Sequence, residues 1–244
     1  MIKLLEQVSL LYEDDDVAAI NKPAGLIVHA DGRSKEVTIA DWIVKKYPQT
    51  ENVGEPLTLS DGTVVKRQGI VHRLDAETSG VLLFAKTSKG HAALKKQFLD
   101  RTIEKTYQLF AYGILKEDEG IINRPIGRSK NDFRKWLAGR GTRGELREAV
   151  TAYKVLSRDK EVSFVEAYPK TGRTHQIRVH FKAINHPVVC DSLYAPNQAC
   201  IFGFERVALH ALRIEFTNTK GEKIKVEAPY PEDFQSAIKQ ISNS

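Results

Sequence analysis

Two short segments of this 244-residue chain group side chains able to do chemistry most densely. The denser one reads G-I-V-H-R-L-D-A-E-T-S-G, Gly69 to Gly80. It sets His72, Arg73, Asp75, Glu77, Thr78 and Ser79 on a polar loop. The apolar stretches on either side, Gly69-Ile70-Val71 and Val81 to Ala85, read as buried strands. Active sites are often built this way, on loops held by a rigid sheet. An arginine two residues from an aspartate can keep that carboxylate ionised. The plainer reading is a polar turn in which Asp75 bonds its own backbone.

The second segment is T-G-R-T-H-Q-I-R-V-H, Thr171 to His180. With Thr174 as cap, a helix to Asn185 turns Ile177, Phe181 and Ile184 to the core. His175, Arg178, Lys182 and Asn185 then share another face. A helix start beside Arg173 suits an anion, and Arg178 could be delivered to a carboxylate. The plainer reading is a solvated basic face. A third segment, E-K-T-Y, starts a strand at Glu104. The two-residue period puts Lys105 and Tyr107 on one face. There the tyrosine could stack on a base or simply be half-buried.

Metal chemistry is not expected. His175 and His180 are five apart and diverge on a helix, and no H-E-x-x-H occurs. The two cysteines, Cys190 and Cys200, have no C-x-x-C spacing, which excludes a disulfide scaffold and a zinc ribbon. The first residues, M-I-K-L-L-E-Q-V followed by three aspartates at 14–16, do not read as a signal peptide. No segment has the ~20 apolar residues of a membrane span. A reducing cytoplasm is the default location.

Charge is concentrated in one place. The chain carries 37 Lys and Arg against 31 Asp and Glu, a net +6. Arg124, Arg128, Lys130, Arg134, Lys135, Arg140, Arg143 and Arg147, opposed only by Asp132 and Glu145, account for all of it. A neutral body with one basic segment suits a polyanion such as nucleic acid. A solvated, mobile loop would have the same composition.

The elements that must position these groups are mixed. Strands are expected at Leu10–Tyr12, Val17–Asn21, Lys105–Ile114, Ala149–Leu156, Val162–Tyr168, Ala208–Phe216 and Lys223–Val226. Helices are expected around Ile39–Tyr47 before Pro48, after a Ser88 cap, and over Phe234–Ile241. Glu51 to Lys66 reads as loop. Strands that follow one another directly indicate α+β with a mainly antiparallel sheet and flanking helices. No phosphate-cradling glycine loop appears.

Taken in order, H-R-L-D with T-S-G, E-K-T-Y and T-G-R-T-H-Q-I-R resemble the RluA family of pseudouridine synthases. N-K-P-A-G at Asn21–Gly25 and L-H-A-L-R-I at Leu209–Ile214 agree, so the match spans about Leu10 to Phe234. The resemblance implies the pseudouridine synthase fold: a mixed, mainly antiparallel sheet with an active cleft across its middle. It implies isomerisation of a uridine within RNA, with no cofactor and no metal. Asp75 matches the essential aspartate, either a nucleophile at the anomeric carbon or a base towards the 2′ position. Arg178 matches the arginine that pairs with it, and Tyr107 the tyrosine that stacks on the uracil. Arg73 matches an arginine that fills the gap left by the extruded base, and Leu209 the apolar residue beneath the ring. His72, Lys105 and Arg173 are the further candidates for RNA contact. On the basic segment, Arg134, Lys135, Arg140 and Arg143 are the candidates, with Trp136 and Phe133 among them for stacking.

The chain is expected to be a single catalytic domain, residues 1–244, with a basic insertion at about 124–147 and monomer as the default. Its partner would be ribosomal or transfer RNA. Relatives usually read H-P-x-V-G-D and then Y-G, where this chain has H-P-V-V-C-D-S-L-Y-A, His186 to Ala195. Cys190 and Ala195 stand where glycines are usual, so a different local turn is expected. A noncatalytic RNA-binding module is the alternative; the intact set of Asp75, Tyr107 and Arg178 argues against it. A metal-dependent phosphohydrolase is weaker, because no carboxylate cluster accompanies Asp75.

Overall fold

The computed structural model describes residues 2–29, 36–58, 62 and 64–243. In chain order the first elements are α1 (Ile2–Leu5), β1 (Ser9–Glu13), β2 (Val17–Lys22), α2 (Ile39–Lys46), β3 (Leu57–Thr58), β4 (Val64–Val65), β5 (Ser79–Ala85) and α3 (Ser88–Leu99). Then come β6 (Glu104–Tyr112), β7 (Glu119–Asn123), β8 (Ile126–Ser129), β9 (Trp136–Ala138), β10 (Thr142–Arg147), β11 (Val150–Asp159) and β12 (Val162–Pro169). The last are α4 (Gln176–Ala183), β13 (Leu209–Thr217), β14 (Lys223–Glu227) and α5 (Glu232–Ser242). This is a mixed α+β fold, and its ladders are mostly antiparallel. The chain divides into two compact units, residues 1–104 with 211–229, and residues 105–210 with 230–244.

In the first unit the strand order is β1-β2-β5-β13, with β14 beside β13. All seven residues of β5 are buried, which explains its unbroken apolar run. Val17, Ala19, Val81, Leu83, Leu94 and Phe216 form its core. Helix α2 starts on a capping box, Thr38 and Asp41 each closing the other's backbone N–H.

Three local expectations change in this unit. Gly69–Val71 is not a strand; Ile70 makes a single bridge to Phe84. The cap of α3 is Thr87, whose hydroxyl accepts from Gly90 N, not Ser88. Within Glu51–Lys66 the short β3–β4 ladder forms, while residues 59–61 and 63 of that expected loop lie outside the described residues.

In the second unit the order is β6-β12-β11-β7, and β11–β12 is the expected hairpin. Its core includes a phenylalanine group: Phe110 stacks on Phe164 at 4.7 Å between ring centroids, with Phe181, Phe204 and Phe234 in the same cluster. The basic stretch is not a loop. It folds into a three-stranded sheet, β10-β8-β9. Ile126 is buried with Val179 and Tyr194, and Trp136 and Ala138 pack against them. Burial of that apolar underside gives the arm a fixed seat that composition alone does not reveal.

Candidate active site

In the first unit Asp75 is half-buried on a turn closed by Thr78 N donating to Asp75 O, 3.1 Å. Both ends of its segment are backbone-to-backbone contacts. A Cβ on Gly69 would lie 2.0 Å from Ala85 O, and one on Gly80 2.1 Å from Ala211 O, so only glycine lets the chains pass this closely. His72 Nε2 accepts from Leu83 N at 2.9 Å, and its ring lies 5.1 Å from Phe98. His72 thus ties the segment to β5. Arg73 is exposed.

The N-K-P-A-G stretch is a clamp on this turn. Lys22 is fully buried, and its ammonium donates to the carbonyls of Pro23 (3.0 Å), Leu26 (2.8 Å) and Ala76 (2.9 Å). Gly25 N donates to the same Ala76 carbonyl at 2.8 Å. The residue next to Asp75 is therefore held by one charged and one neutral hydrogen bond. His29 lies in the positive surroundings of Arg73 and Arg67. Burial first, then those two charges, lowers its pKa to about 4. Neither residue stood out in the sequence, since a lysine ending a strand ordinarily reads as exposed.

In the second unit Lys105 and Tyr107 share a face of β6, both partly buried around buried Thr106. Tyr107 sits opposite Ala167 and packs against the cluster that contains Leu209. Burial, helped by Lys170, lowers the Lys105 pKa to about 8. Its ammonium lies 3.4 Å from Thr171 O.

Helix α4 differs from expectation at its start. Its cap is His175, in the left-handed region at φ 55, not Thr174. No side chain caps it; Gln176 instead ties down the turn before it, its Oε1 accepting from Arg173 N (3.0 Å) and Thr171 Oγ1 (2.6 Å). Ile177 and Phe181 face the core as expected. Arg178 is not on a solvated face. It is 6% exposed and forks onto Asp191, Nε to Oδ2 at 2.7 Å and Nη2 to Oδ1 at 2.8 Å. Asp191 is fully buried and also accepts from the N–H groups of Leu193 and Tyr194. The Tyr194 ring lies 5.2 Å from the guanidinium. Asp191 was visible only as the last residue of H-P-V-V-C-D, and nothing in its spacing names Arg178 as partner.

A second buried chain fixes the same helix. His180 Nε2 lies 3.0 Å from Arg124 O and its Nδ1 2.9 Å from Thr151 Oγ1. A carbonyl only accepts, so Nε2 carries the proton and Nδ1 accepts from the threonine hydroxyl. That hydroxyl in turn accepts from Gln176 Nε2 at 3.0 Å. Arg173 Nε donates to Glu148 O. On the arm, Arg134 forks onto Asp132 at 3.0 and 3.1 Å with Lys135 4.0 Å away, while exposed Arg140 and Arg143 have no acidic partner among the described residues.

The two cysteines form a disulfide, Cys190–Cys200, closing the loop that carries Asp191 and Tyr194. It is one bridge and not a scaffold. Cys190 keeps the left-handed backbone of a usual glycine, at φ 57, whereas Ala195 is not left-handed. No group of three His, Cys, Asp or Glu placed to hold a metal occurs among the described residues. No described helix is long and apolar enough to cross a membrane.

Residues 16–183 match the family model described as RNA pseudouridylate synthase. The uncharacterized RNA pseudouridine synthase YlyB of Bacillus subtilis is 35% identical over 233 residues, covering 95% of this chain and 72% of that protein. The ribosomal large subunit pseudouridine synthase D of Neisseria meningitidis serogroup B is 37% identical over 92% of this chain and 58% of its own length. Among solved structures, human RNA pseudouridylate synthase domain containing 1 matches with a TM-score of 0.70 and 26% identity, over 93% of this chain and 85% of that one. The fold and these matches together define the class: the chain belongs to the RNA pseudouridylate synthase family. It is an RNA pseudouridine synthase, an isomerase by enzyme class.

Proposed function

We propose that the substrate is a uridine of ribosomal RNA, with transfer RNA as the second candidate, and that Asp75 acts on its sugar. The name of the Neisseria relative supports the ribosomal choice. The observation that carries the role of Asp75 is its setting. Its carboxylate stands half-exposed on a turn gripped at both ends and through the neighbouring Ala76 carbonyl. Such a group is already oriented before substrate arrives, which is where enzymes gain rate. Attack on the anomeric carbon, or removal of a 2′ proton, both require it ionised. Either breaks the N1–C1′ bond between ribose and uracil; the turned base then forms a C5–C1′ bond, losing the carbon-5 proton to solvent while N1 takes one up.

The resemblance assigns Arg178 to that carboxylate and Tyr107 to the face of the uracil. Arg73 takes the place of the extruded base, whose removal from the stack costs a few kcal/mol. Leu209 supports the ring. Arg140 and Arg143, with Lys105, Arg173 and His72, contribute contacts to the RNA. The chain works as a single catalytic domain, a monomer, in the cytoplasm, without cofactor or metal.

The test is tritium release from RNA labelled at carbon 5 of uridine. Asp75→Asn is expected to lower release by roughly 10³-fold or more, with RNA affinity and the unfolding midpoint nearly unchanged. Release at near wild-type rate would overturn the role of Asp75.

A further inference from the structure

One tyrosine joins the basic arm to the helix that carries Arg178. The hydroxyl of Tyr194, a residue 4% exposed, accepts from the Trp136 backbone N–H of β9 at 3.0 Å. Its oxygen also lies 2.9 Å from His175 Nδ1, at the cap of α4. The phenol oxygen both donates and accepts, so it can bond that ring nitrogen while it holds Trp136 N–H. The ring of the same tyrosine lies against the Arg178 guanidinium at 5.2 Å, within range for a cation–π contact. Its backbone N–H donates at 3.0 Å to Asp191 Oδ1, the carboxylate that forks Arg178.

Tyr194 therefore has two separable functions in one side chain. The ring braces the arginine, and the hydroxyl fixes where the arm starts β9. The arm's apolar seat, Ile126 with Trp136 and Ala138, is centred on this residue and Val179. We propose that Tyr194 is a positioning residue that sets the arm in register with Arg178, so that RNA held by the arm is presented to that arginine. The proposal rests on the reading of the arm as RNA-binding and of Arg178 as part of the active site.

Two variants separate the functions. Tyr194→Phe removes only the hydroxyl, and Tyr194→Leu removes hydroxyl and ring face together. Trp42 and Trp136 are the two tryptophans of the chain, so in a Trp42→Phe background the fluorescence of Trp136 reports on the arm. Tyr194→Phe should raise acrylamide quenching of Trp136 about twofold and weaken RNA binding about five- to tenfold. Single-turnover tritium release at saturating RNA should stay within about twofold, since the ring that braces Arg178 is kept. Tyr194→Leu should in addition lower saturated release more than about tenfold.

A purely structural tyrosine would lower the unfolding midpoint in both variants and leave quenching, affinity and release of the folded protein unchanged. That result would overturn the proposal. So would a loss of saturated release in Tyr194→Phe equal to that in Tyr194→Leu. Should quenching and affinity shift as stated while wild type and Asp75→Asn release tritium alike, the coupling stands and the assignment of Asp75 fails.

Discussion

Replacing Arg178 removes one half of a buried ion pair, and the other half cannot reach water. Asp191 is fully buried, and two backbone N–H groups hold its Oδ1. Breaking such a pair from one side costs about 3 to 5 kcal/mol, because a charge is left buried alone. Arg178→Ala is therefore a poor probe of catalysis, since it also loosens the loop from Asp191 to Tyr194. Asp191→Asn keeps the shape and one acceptor. It is expected to lower the unfolding free energy in urea by about 3 kcal/mol and to cut saturated tritium release more than tenfold, roughly the penalty of a misplaced reacting group. Full activity in a destabilised Asp191→Asn protein would show that the fork serves stability alone.

His180 makes a prediction of opposite kind, set by pH. Burial lowers its pKa below the usual 6.5, and the neutral ring is the form that accepts from Thr151. Above pH 6.5 the ring is neutral folded and unfolded, so its contribution is complete. As pH falls below 6.5 the unfolded chain takes up a proton that the folded chain resists, and stability declines until the folded pKa is passed. Unfolding free energy should therefore fall from pH 6.5 towards 5 more steeply in wild type than in His180→Gln. Equal slopes would show that His180 does not titrate with folding.

At the scale of elements, the arm β8-β9-β10 holds the chain's charge excess on a packed sheet. Its cations are not equivalent. Arg134 and Lys135 face Asp132, whose pKa they hold down at about 2, with Arg134 the stronger influence. Arg140 and Arg143 face no such partner among the described residues. Each RNA phosphate that is no longer neutralised should reduce the log–log salt slope of binding by about 0.7 to 0.9. Arg140→Gln with Arg143→Gln is expected to flatten that slope by nearly two such steps, and Arg134→Gln with Lys135→Gln by less. Equal, unchanged slopes would place the RNA path elsewhere, near Arg173 and Lys182.

The order and type of most elements were legible in the sequence. Alternating or continuous apolar runs located β2, β5, β6, β11 and β12, and the spacing of Ile39 and Ile43 located α2. What escaped was set by contacts remote in sequence. The basic arm reads as loop because its glycines and cations mask a small apolar underside, visible only once Val179 and Tyr194 are beside it. Arg178 reads as exposed because its partner lies thirteen residues on. Lys22 reads as a strand-end surface lysine because the three carbonyls that receive it come from turns, one of them 54 residues away. The segment around Asp75 was legible as a loop. Its clamping was not, since the chain passing closest to Gly80 is at Ala211.

At the scale of the molecule, each of the two units has its own core, and the second sets five phenylalanines among its aliphatic residues. The second carries the helix with Arg178, the arm and the disulfide. Reduction should act on that unit. Cross-linking residues ten apart lowers the entropy of the unfolded chain by about 2 to 3 kcal/mol at 25 °C. Dithiothreitol is expected to lower the urea midpoint accordingly, and an unchanged midpoint would show that the bridge adds nothing to stability.

The bridge also gives the two thiols different fates once it opens. Cys200 is exposed, whereas Cys190 is 8% exposed and its N–H stays bonded to the Tyr112 hydroxyl at 3.0 Å. Reduced native protein should thus take up iodoacetamide first at residue 200 and only slowly at residue 190, an order that peptide mass spectrometry reads directly. The second, slow event then becomes a clock for opening of the loop that holds Asp191, and RNA bound at the arm should retard it.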